Sequence, residues 1–127
     1  MKLFARFALL ISLVVAPLDS RADDTSAVPP TIGSAQATNW IGKQVVVTGV
    51  VAQVSFRPTL TFLNFDKRYP SNLFTAVIRS RYTNEFENLS ALRGKAVSVK
   101  GEIRDYQGRP EMELTRKSQL KILGDTK

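Results

Sequence analysis

QVVVTGVVAQVSFR, residues 44–57, is too long and too rich in β-branched residues for an ordinary flat strand. Valines at 45, 46, 47, 50, 51 and 54 fall on both faces of an extended segment, so both faces need cover. Gly49 stands near the middle, where the absence of a side chain lets a long strand bend sharply. The stretch reads as a first strand that curls and serves two sheets of a small closed barrel.

Its pattern returns later in the chain. GKQVVVTGVV at 42–51 recurs in form as GKAVSVKGEI at 94–103, a shared G-K-x-V-x-V-x-G-x-(V/I). Two copies are too few for a solenoid, so they predict two long bent strands in related places of one barrel. Between them, Pro58 marks a turn or bulge, because proline cannot donate to a strand ladder. TLTFLNFD at 59–66 reads as a second strand, rich in aromatic and β-branched residues. KRYPSN at 67–72 is a basic loop. LFTAVIR at 73–79 is a third strand, with Phe74, Ala76 and Ile78 on one face and Thr75, Val77 and Arg79 on the other.

Residues 84–93 predict one short helix. Asn84 with Glu87 resembles a capping box, Phe86 and Leu89 share a face, and Gly94 supplies the stop. AVSVKGEIRDY at 96–106 alternates, with Val97, Val99 and Ile103 inward. A tight turn at 107–110 leads into a fifth strand at 111–116, with Met112 and Leu114 inward. SQLKIL at 118–123 brings Leu120 and Ile122 back to the core. Trp40, just before the first strand, is expected to pack at one end of the barrel.

The 127 residues fit one domain, and 43% hydrophobic with 23% charged residues is the composition of a globular chain. The absence of cysteine and histidine removes disulfides, thiolate chemistry, the commonest general base and the commonest zinc ligand. No calcium loop, glycine-rich phosphate loop or serine elbow is present. The formal charge of +7 favours a polyanionic ligand.

Residues 1–22 have the form of a secretory signal. Lys2 and Arg6 precede an apolar run at 7–18, and Ser20 and Ala22 offer small residues at the cleavage positions. The run is short of the roughly 20 residues that span a bilayer. Cleavage after Ala22 is therefore expected, giving a periplasmic or secreted protein with no stable membrane anchor. It removes Lys2, Arg6, Arg21 and Asp19 and leaves the remainder basic. Residues 23–37, with Pro29 and Pro30, read as a flexible leader, 38–123 as the folded domain and 124–127 as a tail.

The order strand, strand, strand, helix, strand, strand is that of the oligonucleotide/oligosaccharide-binding (OB) fold. GKQVVVTGVVAQV, TFLNFDKRYPSNLFTAVI, LRGKAVSVKGEIRDYQGRPEMEL and SQLKIL resemble the nucleic-acid-binding type of that fold over roughly residues 40–123. Small OB domains of bacterial nucleases, and anticodon-binding domains of some aminoacyl-tRNA synthetases, are similar in the strand that starts TFLNF. The resemblance implies an all-β, five-stranded Greek-key barrel with one short helix. It also implies single-stranded nucleic acid, or another extended polyanion, as partner on the face formed by the second and third strands.

Such a binder needs rings on which bases stack and cations that follow the phosphates. The candidates are Phe56, Arg57, Phe62, Asn64, Lys67, Arg68, Tyr69, Arg79 and Arg81, with Tyr106 and Arg109 from the loop joining the last two strands. Alternation puts Leu63 and Phe65 inside and Phe62 and Asn64 outside, an amide being poorly suited to an apolar interior. Lys67, Arg68, Arg79 and Arg81 read equally as a ligand site or as solvated charge. Tyr106 and Arg109 either line the site or brace the turn. Asp66, Glu102, Asp105, Glu111 and Glu113 read as outward charges, with no catalytic pair and no metal set. The expectation is an exported, non-enzymatic binding module without a cofactor. The alternative is a periplasmic interaction module for a protein partner, an envelope component or a small cation.

Overall fold

A computed structural model of the protein describes residues 28–125. The expected signal segment and the first part of the leader lie outside them. β2 (Gln44–Phe56) is the spine. Its residues 44–50 pair antiparallel with β5 (Lys95–Glu102) and its residues 51–56 with β3 (Leu60–Phe65), so one strand does serve two ladders. β3 continues antiparallel to β4 (Thr75–Arg79), which runs parallel to β7 (Arg109–Glu113). β6 (Arg104–Tyr106) pairs with β7, and β8 (Leu120–Asp125) pairs with β5.

The hydrogen-bonded path is β6-β7-β4-β3-β2-β5-β8, with β1 (Thr31–Gly33) parallel to β2. The fold is all-β, but it is an open eight-stranded sheet and not the expected five-stranded closed barrel. The strand expected over 96–106 is divided at Ile103. That residue's N–H donates to the Lys43 carbonyl (3.1 Å) and its carbonyl accepts from the Gly42 N–H (2.6 Å), which carries the pairing with the β2 side one residue past β5. The residues after it form β6 and pair with β7.

A bulge in β2 decides which side chains reach the surface. Val51 lies opposite Phe65, yet Gln53 lies opposite Asn64, one residue out of step. The extra residue inverts the alternation. Before it, Val45, Val47 and Val51 are fully buried; after it, Val54 packs inward opposite Leu63, while Gln53 and Ser55 stand on the other face. Leu63 and Phe65 are fully buried as expected, and Phe65 meets Phe74 edge to face at 5.0 Å.

Gly49 is needed for close approach. A methyl group there would lie 2.9 Å from the Phe65 ring and from the Asp66 carboxylate. Asp66 has φ 67°, donates its N–H to the Val50 carbonyl (2.6 Å), and accepts at its carboxylate from the Val50 N–H (3.0 Å) and the Ser34 hydroxyl. The end of β3 is thereby fastened to the middle of β2.

The repeated motif is a pairing device. Val47 faces Val99 and Gly49 faces Val97, so the copies pair antiparallel with each other. Gly42 donates to the Ile103 carbonyl and Gly94 to the Val51 carbonyl (2.7 Å), equivalent bonds of the two copies, and both glycines have φ 87°.

Four further expectations are corrected. The helix at 84–93 is absent: the region holds 3-10 segments at Ser80–Glu85 and Leu89–Leu92, broken by left-handed Asn88 (φ 45°). Phe86, Leu89 and Leu92 are nevertheless buried. Residues 31–37 are not a flexible leader, since they form β1 and most of the 3-10 segment Ser34–Trp40, with Ile32, Ser34 and Ala37 buried. Ile122 does not return to the core but is 54% exposed, and the proposed tail begins within β8. Trp40 packs against the core, partly buried.

Candidate nucleic-acid interface

The register builds rows across the outer face of β2, β3, β4 and β7. Gln53, Asn64, Thr75 and Glu111 form one row, with Arg104 of β6 beyond Glu111; Ser55, Phe62, Val77 and Glu113 form the next. Residues paired across neighbouring strands share a face, which places these groups side by side. Over them opens a cleft of about 400 Å³, walled by Arg57, Phe62, Tyr69, Tyr106 and Arg109.

Its floor is a hydrogen-bonded amide network. The Asn64 amide donates to the Gln53 carbonyl oxygen (2.8 Å), and Asn64 Oδ1 accepts from the Thr75 hydroxyl (3.0 Å) and the Asn72 amide (3.2 Å). The Asn72 amide also reaches the Phe74 carbonyl (3.1 Å) and Thr75 Oγ1 (2.7 Å). Asn64, Asn72 and Thr75 are buried; their mutual bonds offset the desolvation that isolated amides would suffer.

The loop that follows β3 is tied to this floor. The Tyr69 N–H donates to Gln53 Oε1 (2.9 Å), and a cis peptide joins Tyr69 to Pro70. The Arg109 guanidinium donates to Asn72 Oδ1 (2.8 Å), the Asn72 carbonyl (3.0 Å) and the Pro70 carbonyl (3.4 Å), and lies 5.3 Å from the centre of the Tyr69 ring. Arg109 thus both lines the cleft and braces the loop that carries Tyr69. Tyr106, at the end of β6, is 54% exposed.

Charge in the cleft is mixed. Burial pushes the Glu111 carboxyl above its usual range, opposed by the positive charges of Arg104, Arg79 and Arg109. Its nearest ion-pair contact is Arg104 at 4.0 Å. Among the described residues no group of three or more carboxylates is gathered to hold a metal ion.

Of the residues chosen from sequence, the cleft brings together Arg57, Phe62, Asn64, Tyr69, Tyr106 and Arg109. Asn64 is corrected from an exposed contact to a buried floor residue, because three neighbouring amides and hydroxyls satisfy it. Phe56 and Arg68 line an adjoining groove, and Lys67 is exposed on the loop between β3 and β4. Arg79 is turned to Glu113 (2.9 Å), which Arg104 also pairs (3.2 Å). Arg81 lies 4.9 Å from the Tyr82 ring, and its hydrogen bond with that tyrosine raises its pKa. Neither lines the cleft.

Sequence reasoning missed Gln53, Ser55, Thr75, Gln107 and Glu111 as cleft residues. The signal for the first two was the position of the bulge, which alternation alone does not reveal. Thr75 and Glu111 follow from their register with Asn64.

With no match to any protein-family model or curated protein sequence, the comparison rests on solved structures. OBody AM1L10, solved bound to hen egg-white lysozyme, is similar over 88% of this chain and 100% of its own, with TM-score 0.56 and 20% identity. The asparaginyl-tRNA synthetase of Entamoeba histolytica, solved with asparaginyl-adenylate, is similar over 79% of this chain and 25% of its own (TM-score 0.53, 23% identity). The aspartyl-tRNA synthetase of the same organism is similar over 70% and 20% (TM-score 0.50, 14% identity). The chain spans a quarter or less of the synthetases' length. These likenesses establish an OB-like fold.

Proposed function

We propose that this chain is an exported, non-enzymatic OB-like module that binds single-stranded nucleic acid with weak sequence preference. The observation that carries the reading is the cleft: three aromatic rings and two arginines converge over a satisfied polar floor. The basic composition and the resemblance to nucleic-acid-binding OB domains support it, and export rests on the form of residues 1–22.

Bases stack on Phe62, Tyr69 and Tyr106, while Arg57 and Arg109 meet phosphate oxygens at the rim. Glu111 repels phosphate from the interior, so the base side of the strand faces the floor. Rings accept every base, which gives affinity with little sequence selection.

Fluorescence anisotropy with labelled single strands tests this. Wild type should bind with an affinity that falls as salt rises. Phe62→Ala and Tyr106→Ala should each cost about 1–3 kcal/mol, roughly 5- to 150-fold. No binding at low salt overturns the proposal.

A further inference from the structure

Beside the cleft lies a second groove of about 310 Å³, lined by Gln53, Val54, Phe56, Arg68, Ser90 and Arg93. The two hollows share Gln53, and adjacent residues divide between them. Phe56 lines the groove and Arg57 the cleft; Arg68 lines the groove and Tyr69 the cleft. The groove therefore adjoins the cleft at β2 and at the loop after β3.

Its chemistry differs from that of the cleft. No carboxylate lines it, and among the described residues neither Arg68 nor Arg93 enters an ion pair. Phe56 is 57% exposed at its edge. Over residues 51–56, β2 has a strand partner on one side only. The far wall is the 3-10 segment Leu89–Leu92, whose buried Leu89 and Leu92, three apart, anchor one side while Ser90 and Arg93 face out.

We infer that this groove is a phosphate track for the same single strand whose bases occupy the cleft. The inference rests on the nucleic-acid reading and deepens it by giving the ligand a direction and a minimum length. The strand crosses the Gln53 ridge, lays its phosphates between Arg68 and Arg93, and stacks one further base on Phe56. Two guanidiniums without a carboxylate partner line this one groove and suit backbone phosphates, whereas the cleft, with Glu111 inside, suits bases.

The test compares labelled oligothymidylates of about three nucleotides, one for each ring of the cleft, and about ten nucleotides, which lies within OB-domain site sizes. Wild type is measured against the Arg68→Gln/Arg93→Gln double variant at graded salt. The long strand should lose roughly tenfold in affinity in the double variant, and its salt slope should fall by about 1.4, at about 0.7 per cation for single strands. The short strand, confined to the cleft, should bind the double variant as it binds wild type. Both substitutions are at exposed positions, and thermal melting checks that the fold is retained. Unchanged affinity and slope for the long strand overturn the track while leaving the cleft reading intact. Equal losses for both lengths also overturn it. Failure of wild type to bind either length overturns both.

Discussion

An alanine at position 49 has nowhere to put its methyl group. The Phe65 ring and the Asp66 carboxylate each lie 2.9 Å from that point, and both are held, the ring by Phe74 and the carboxylate by Val50 and Ser34. Gly49→Ala should therefore destabilise the fold by about 1–3 kcal/mol, the range for forced overpacking. Urea unfolding should show a lower midpoint with an unchanged slope. Glu111 permits a second prediction. Burial makes the folded state hold the Glu111 proton more tightly than the unfolded chain does. The resulting contribution to stability is present below the unfolded carboxylate value, about 4.3, and is lost as pH rises through the higher folded value. Glu111→Gln removes that loss, so its stability should vary less over this window than wild type does. Superimposable pH profiles of unfolding would refute the assignment. Residue identities made the aromatic and basic candidates legible, because rings and guanidiniums announce their chemistry. They did not reveal that Glu113 takes Arg79 or that Tyr82 takes Arg81, since those partnerships depend on register and turn geometry.

At the scale of elements, the cleft depends on how the loop after β3 is fastened to β3, β4 and β7. Asn72 is the hub: its amide reaches Asn64, Thr75 and the Phe74 carbonyl, while its oxygens accept from Arg109. Asn72→Ala leaves Asn64 and Thr75 short of a donor in a buried place, at a cost of about 1–3 kcal/mol. Amide exchange should quicken over 67–72 more than in β5, and oligonucleotide affinity should fall although no ring has been touched. An unchanged exchange pattern would show that the loop is held by other means. Strands were readable here because valines and aromatics alternate over enough residues to fix a period. The helix was not. Asn84, Glu87 and Gly94 have the spacing of caps, but Asn88 takes a left-handed conformation between two short 3-10 segments, and tertiary burial of Phe86, Leu89 and Leu92 outweighs local helix signals. The bulge at 51–53 was equally silent, since one inserted residue leaves composition unchanged and shifts only the faces.

For the whole molecule, the folded region begins before the tryptophan. Relative to a chain starting at residue 28, one starting at 38 loses buried Ile32, Ser34 and Ala37 together with the β1 ladder. That loss should cost about 2–4 kcal/mol, judged from the burial of Ile32 and the removal of Ser34 from Asp66. Equal melting of the two truncations would refute it. The OB-like arrangement was legible because its long strand, its echo and its intervening strands are strong local signals. The open ends of the sheet were not, because which strands stand at the edges is set by pairing between distant segments, β4 with β7 and β5 with β8. The mutual pairing of the two G-K-x-V copies also bears on the rate of folding. β3, β4 and both intervening 3-10 segments lie in the chain between them, so their meeting closes a large loop before most of its contacts can reward it. Trimming Val47 or Val99, which face each other in that ladder, should chiefly slow refolding, whereas trimming Leu120 in the peripheral β8 should chiefly hasten unfolding. The two arms of a denaturant chevron would separate these effects.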